Sequence, residues 1–146
     1  MLHDFLFSDS LWIGEGKITF SASSDHIHFY TRWTPHPTKE PSTHEWIQEV
    51  EMHGTDEKVA NRFIITSLSE TSFSLSLEND VIGKALGKGV IDQAKIAWEI
   101  KNPEIFHGFE VYELQDNGDY SLHAEYVAQD NFRTLIDGRI WKKSIK

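Results

Sequence analysis

The chain contains no cysteine. That absence removes disulfides, thiolate nucleophiles and thiolate metal sites together, and it agrees with a reducing compartment. Basic residues are scarce beside acidic ones, with Lys+Arg 14 against Asp+Glu 23 and a formal net charge of -9. Such a chain repels a phosphate backbone unless its cations are gathered, and they gather only at Arg139-Ile140-Trp141-Lys142-Lys143. No nucleic acid partner is expected. Long apolar runs are missing as well. The opening Met1-Leu2-His3-Asp4-Phe5-Leu6-Phe7 is apolar only briefly and has no basic leader, so neither a secretory signal nor a membrane span is expected, and the reading is a soluble, cytoplasmic protein.

What the chain does have is alternation. At 146 residues it is expected to form one domain, 1-146, large enough to bury a core. Aromatic residues make up 12%, and they favour pleated, half-buried surfaces. Period-two runs suggest strands near 11-21, 26-34, 44-54, 59-68, 71-78, 88-101, 106-115, 119-128 and 132-143. The clearest is Ser72-Phe73-Ser74-Leu75-Ser76-Leu77, where serine and apolar residues strictly alternate. Before them lies a short segment that reads as one helical turn or a plug. Short turns such as Ser69-Glu70 and Asn117-Gly118 join the runs and favour an antiparallel meander, because parallel neighbours need long crossovers. Two stretches stand apart: Pro35 to Pro41, a loop at one rim, and Asn79 to Lys88, read as a bent loop on account of its glycines. A meander leaves unpaired edges unless it closes, so the expected fold is all-β, a closed antiparallel barrel of about eight to ten strands with a short N-terminal helical turn.

Trp12-Ile13-Gly14-Glu15-Gly16-Lys17-Ile18 resembles the opening strand of calycin-type barrels, the lipocalin, fatty-acid-binding-protein and nitrobindin-like group. Gly138-Arg139-Ile140-Trp141 is similar to their closing strand. The resemblance implies a tryptophan closing the barrel floor, glycines that let the first strand bend, and a ligand cavity. A nitrobindin-like haem site would need an iron-ligating histidine late in the chain. Here only His123 could serve, without a supporting motif, so no cofactor is assigned.

Two polar faces are candidates for a site. In FEVYELQDNGDYSLHAEY, Phe109 to Tyr126, a two-residue Asn117-Gly118 turn would set Tyr112 opposite His123 and Glu110 opposite Glu125. Those four would share one face, with Phe109, Val111, Leu122, Ala124 and Tyr126 on the other. If the polar face lines a lumen, the paired carboxylates repel and one keeps its proton near neutral pH as a general acid. If it is the outer wall, water screens the pair. The second face belongs to His26-Ile27-His28-Phe29-Tyr30-Thr31-Arg32-Trp33, which sets His26, His28, Tyr30 and Arg32 against Ile27, Phe29 and Trp33. An interior Arg32 beside Tyr30 could fork onto a carboxylate or phosphate head group, and the resemblance to fatty-acid-binding proteins implies such a pair. The exposed alternative is equally consistent with alternation. His26 and His28 have chelating spacing, but no glutamate follows and no third ligand is selected, so no metal is assigned.

The ligand-binding set is thus Tyr30, Arg32, Glu110, Tyr112, His123 and Glu125, with no catalytic residue assigned. Nucleophile elbows, dinucleotide loops and P-loops have no match. Two further apolar faces are expected: Trp46, Gln48, Val50 and Met52, and Val90, Ala94, Ile96, Trp98 and Ile100 with Asp92 at a rim. The first functional reading is binding of a small apolar or amphipathic molecule in a barrel cavity. Alternatives are a small-molecule enzyme with acid–base residues in that cavity, and an interaction module with an acidic wall or the Pro35-to-Pro41 loop.

Overall fold

The computed structural model describes residues 3–21, 23–40 and 42–143. Ten strands follow one another: β1 (Trp12–Phe20), β2 (His26–His36), β3 (His44–Met52), β4 (Lys58–Thr66), β5 (Ser72–Asn79), β6 (Gly83–Ile91), β7 (Lys95–Asn102), β8 (Phe106–Leu114), β9 (Tyr120–Ala128) and β10 (Arg133–Lys142). Each pairs antiparallel with its sequence neighbours, and β1 also pairs with β10, so the meander closes into a barrel. No helix among the described residues is long and apolar enough to cross a membrane.

The expected closure is found, with one strand more than the pattern suggested. The run 88-101 is two strands broken at Asp92, whose Oδ1 accepts from Ala94 N and Lys95 N, both at 2.8 Å. The stretch Asn79 to Lys88 is no bent loop. A tight turn at Asp80–Ile82 leads into β6, where Gly87 and Gly89 pair as strand residues and Gly89 lies under the Phe73 ring. The face expected for Val90 shifts accordingly: Val90 is 62% exposed and Ile91 is buried with Ile96, Trp98 and Ile100. Phe73, Leu75 and Leu77 point inward as their alternation requires. At the proline-rich stretch, β2 extends through Pro35 to His36 before the loop begins, and Pro41 lies outside the described residues.

One end of the barrel is filled. Phe5–Phe7 form a turn rather than a helix, and the turn is inserted between the strands. The Phe5 ring sits 4.9 to 6.4 Å, centroid to centroid, from Trp12, Trp33, Trp46, Tyr112 and Tyr120. Trp46 Nε1 donates to the Leu6 carbonyl at 3.0 Å. His3 Nε2 lies 2.6 Å from the Asp92 carbonyl, which can only accept, so Nε2 carries the proton and Nδ1 accepts from the Tyr120 hydroxyl at 2.7 Å. Trp12 is buried in this floor, the place the calycin resemblance implied for it.

The hairpin between β8 and β9 sets which side chains enter the lumen. Gly118 N donates to Gln115 O at 3.0 Å, Gln115 N to Asp119 O at 2.7 Å, and Gly118 holds φ +92°. This is a three-residue turn with a left-handed glycine, not a two-residue turn. The register is therefore displaced by one: Tyr112 pairs with Leu122, Glu110 with Ala124 and Phe109 with Glu125. A one-residue slip exchanges the faces of one strand relative to the other. Gly118→Val should cost about 1–2 kcal/mol, because a Cβ is strained in the left-handed region, and urea unfolding midpoints measure it. A neutral result would mean that the turn does not hold the register.

Candidate functional site

The half of the barrel away from Phe5 is partly open. A cavity of about 300 Å³ lies there, walled by Phe29, Val50, Phe63, Leu77, Leu122 and Ile136 among others. Polar groups enter from two sides. On β3, β4 and β5, Asn61 Nδ2 donates to Gln48 Oε1 at 2.9 Å, and Asn79 Nδ2 to Asn61 Oδ1 at 2.8 Å. Asn79 Oδ1 accepts from Val81 N and Ile82 N at 2.9 and 2.8 Å, so the amide line is anchored in the mouth turn.

Glu110 on β8 stands at the other side. It is 7% exposed and lines the cavity. The Tyr112 hydroxyl donates to its Oε1 at 2.7 Å, and the Tyr126 hydroxyl donates to its Oε2. Gly108 makes the second contact possible: a Cβ there would run into the Tyr126 ring carbons, so only glycine lets that ring lie against β8. Burial pushes the Glu110 carboxyl above its ordinary value, against the opposing pull of the Tyr126 and Tyr112 hydrogen bonds. Both tyrosines are held well above the ordinary phenol value, first by burial and then by the carboxylate beside them.

The set named from sequence is divided by the barrel wall. Glu110 and Tyr112 point inward. Tyr30 is 48% exposed on the outer face, and Arg32 beside it lies in an outer depression with Glu49, Glu51 and Lys58; neither enters the lumen, because Phe29, Thr31 and Trp33 take the inward positions of β2. His123 and Glu125 are also on the outside, contrary to the expected shared face with Glu110, and no Glu110–Glu125 pair exists. His123 Nδ1 is 2.7 Å from Asp137 Oδ1 and Nε2 is 3.0 Å from Glu125 Oε2. Both partners only accept, so the protonated ring satisfies both and its pKa is raised, chiefly by Asp137. Facing outward, His123 offers no ligand to anything held in the lumen.

Four contributors escaped the sequence reading as site residues: Tyr126 and Gln48, each placed on an apolar face; Asn61, a polar exception on the face of Val59, Phe63 and Ile65; and Asn79, assigned to a loop. Asn61 was detectable, since a lone amide on an apolar face asks for a partner. Larger depressions of about 750 and 440 Å³ lie on the outer wall, the first over β6–β10 and the second over β1–β3. The interior is the better candidate because its apolar wall is interrupted by a buried carboxyl and an anchored amide line that can orient a guest.

No family model matches the chain, and no curated protein matches it. Among solved structures, the S-type phycobiliprotein lyase CPES from Guillardia theta superposes with a TM-score of 0.72 at 10% identity, covering 96% of this chain and 90% of that one. Rv2717c from M. tuberculosis gives 0.70 at 10% identity, covering 92% of each chain. At that identity the likeness concerns architecture alone: the chain is a closed ten-stranded antiparallel barrel that shares the overall fold of these two proteins.

Proposed function

We propose that the protein binds a small, largely apolar or amphipathic molecule in the open half of its barrel. The observation that carries this reading is the cavity of about 300 Å³ in which an apolar wall is interrupted by a buried carboxyl and an anchored amide line. Pockets of that make-up orient a guest by a few polar groups while apolar burial supplies most of the affinity. The lyase neighbour supports a small-molecule role, and a bilin-type tetrapyrrole is one candidate; in a cavity of this size it would project from the mouth. Acid–base catalysis is less well supported. The titratable groups that touch Glu110 are two tyrosines whose protons burial holds tightly, and His123 lies outside the wall.

Filling the cavity tests the reading. Leu122 is 6% exposed and lines the space, so Leu122→Trp should weaken binding of a guest molecule by at least about tenfold at a folding cost of about 1–3 kcal/mol. Tyr30→Ala on the outer face should leave binding unchanged. Native mass spectrometry of protein purified from its host, with thermal shift across a lipid and metabolite library, supplies the readout. Wild-type protein that is always empty and never shifted would remove the proposal.

A further inference from the structure

We propose that the molecule held in this cavity carries a protonated nitrogen and seats it on Glu110. The inference rests on the binding reading and gives the chemical class of the guest. Its first support is the charge inventory of the lumen. Among the described residues that line the cavity, Glu110 is the single charged side chain. The inward positions of β2 are Phe29, Thr31 and Trp33, and those of β9 are Tyr120, Leu122, Ala124 and Tyr126. Among the described residues no arginine or lysine reaches in to neutralise the carboxylate, and Arg32, which would have served an anionic head group, faces outward against Glu49 and Lys58. A buried carboxylate without a counter-ion is costly. A guest that brings a cation relieves that cost, whereas a guest with a carboxylate head adds to it.

Coordination gives the second support. A carboxylate has about four acceptor positions on its two oxygens. The Tyr112 and Tyr126 hydroxyls each use one, on different oxygens, so a further acceptor position remains on each. An ammonium or protonated heterocycle has the N–H donors to occupy them, and the two tyrosines keep the carboxylate from rotating as it does so. The Gln48–Asn61–Asn79 line opposite is neutral and adds no competing charge.

The approach to the cavity points the same way. The turns around its mouth are β1–β2, β3–β4, β5–β6, β7–β8 and β9–β10. They carry exposed Asp25, Asp56, Glu57, Asp80, Glu104 and Asp130, and their sequences contain no lysine or arginine. Lys58, Lys84, Lys101 and Arg133 stand at the strand ends beside these turns, fewer than the acidic residues, and a mouth with an acidic excess raises the local concentration of cations. Apolar Val81, Ile105 and Phe132 are exposed on the same turns, a combination suited to an apolar cation.

Three probes of one shape separate the possibilities: 2-naphthylmethylamine, 2-naphthylmethanol and 2-naphthoate, titrated calorimetrically into the full chain at pH 7. The amine should bind at least about tenfold more tightly than the alcohol, with the carboxylate weakest. Glu110→Gln should abolish the preference for the amine over the alcohol, and Glu110→Asp should retain part of it. An amine no tighter than the alcohol, or a tightest-binding carboxylate, would overturn the cation inference with the binding reading intact. Absence of binding by all three would remove both. The wild-type ranking decides the matter even if neither variant folds.

Discussion

Phe5→Ala is expected to lower folding stability by about 3–5 kcal/mol, the range for truncating a fully buried phenylalanine. Phe5 is 0% exposed and touches five aromatic side chains drawn from β1, β2, β3, β8 and β9. Removing the ring leaves a hole bordered by rigid indoles that cannot collapse into it, so the cavity cost adds to the lost transfer energy. Leu6 next to it holds φ +72°, a strained conformation for a residue with a Cβ, and persists because Trp46 and the surrounding core over-determine it. Phe132, 37% exposed at the mouth, is the control; its truncation should cost no more than about 0.5 kcal/mol, as at other surface positions. Urea unfolding followed by tryptophan fluorescence gives both numbers. A Phe5→Ala loss as small as the Phe132→Ala loss would mean that the opening segment does not plug the barrel.

Tyr126→Phe should destabilise the protein more at high pH than at low pH. The hydroxyl it removes donates to Glu110. Against a neutral carboxyl that loss is worth about 0.5–1.5 kcal/mol, and against a carboxylate about 1.5–3 kcal/mol. The sign follows from linkage. Burial raises the folded-state pKa of Glu110 above 4.5, so between 4.5 and the raised value the folded chain binds more protons than the unfolded chain. Stability therefore falls as pH rises through that window. Deleting a donor to the charged form raises the folded value further and widens the window, while Glu110→Gln, which cannot ionise, abolishes this part of the slope. Denaturation midpoints at pH 4.5, 6 and 8 for the three proteins test the scheme. A Tyr126→Phe cost that is the same at pH 4.5 and pH 8 would show that Glu110 does not ionise within this range.

Much of the barrel was legible because it rests on local physics. Serine alternating with phenylalanine and leucine over residues 72–77 can bury only one face, and turns of two to five residues can join only antiparallel neighbours. The place of β6 was less legible: Gly83, Gly87 and Gly89 read as a bend, yet all three belong to the strand, Gly89 under the ring of Phe73 on β5. That contact joins residues sixteen positions apart and leaves no local signature.

The candidate site divides in the same way. Glu110 and Tyr112 could be named because alternation isolates them, but their direction depended on whether Asn117-Gly118 fills the middle of a two-residue turn or the end of a three-residue one. The dipeptide suits both, and the choice exchanges Glu125 for Ala124 opposite Glu110. Hydrophobicity on β8 favoured Phe109 and Val111 as the inner face. The opposite holds because the cost of burying Glu110 is offset by two tyrosine hydroxyls, one of them on β9.

A closed antiparallel meander with an aromatic core follows from period-two patterning and short turns, which act over a few residues at a time. Which polar side chains enter the lumen, and that one half of it stays open, was settled when the strands came together. Those outcomes depend on a one-residue register and on contacts such as Phe5 with Trp33 and Tyr126 with Glu110, whose energies arise between segments that meet only when the sheet closes.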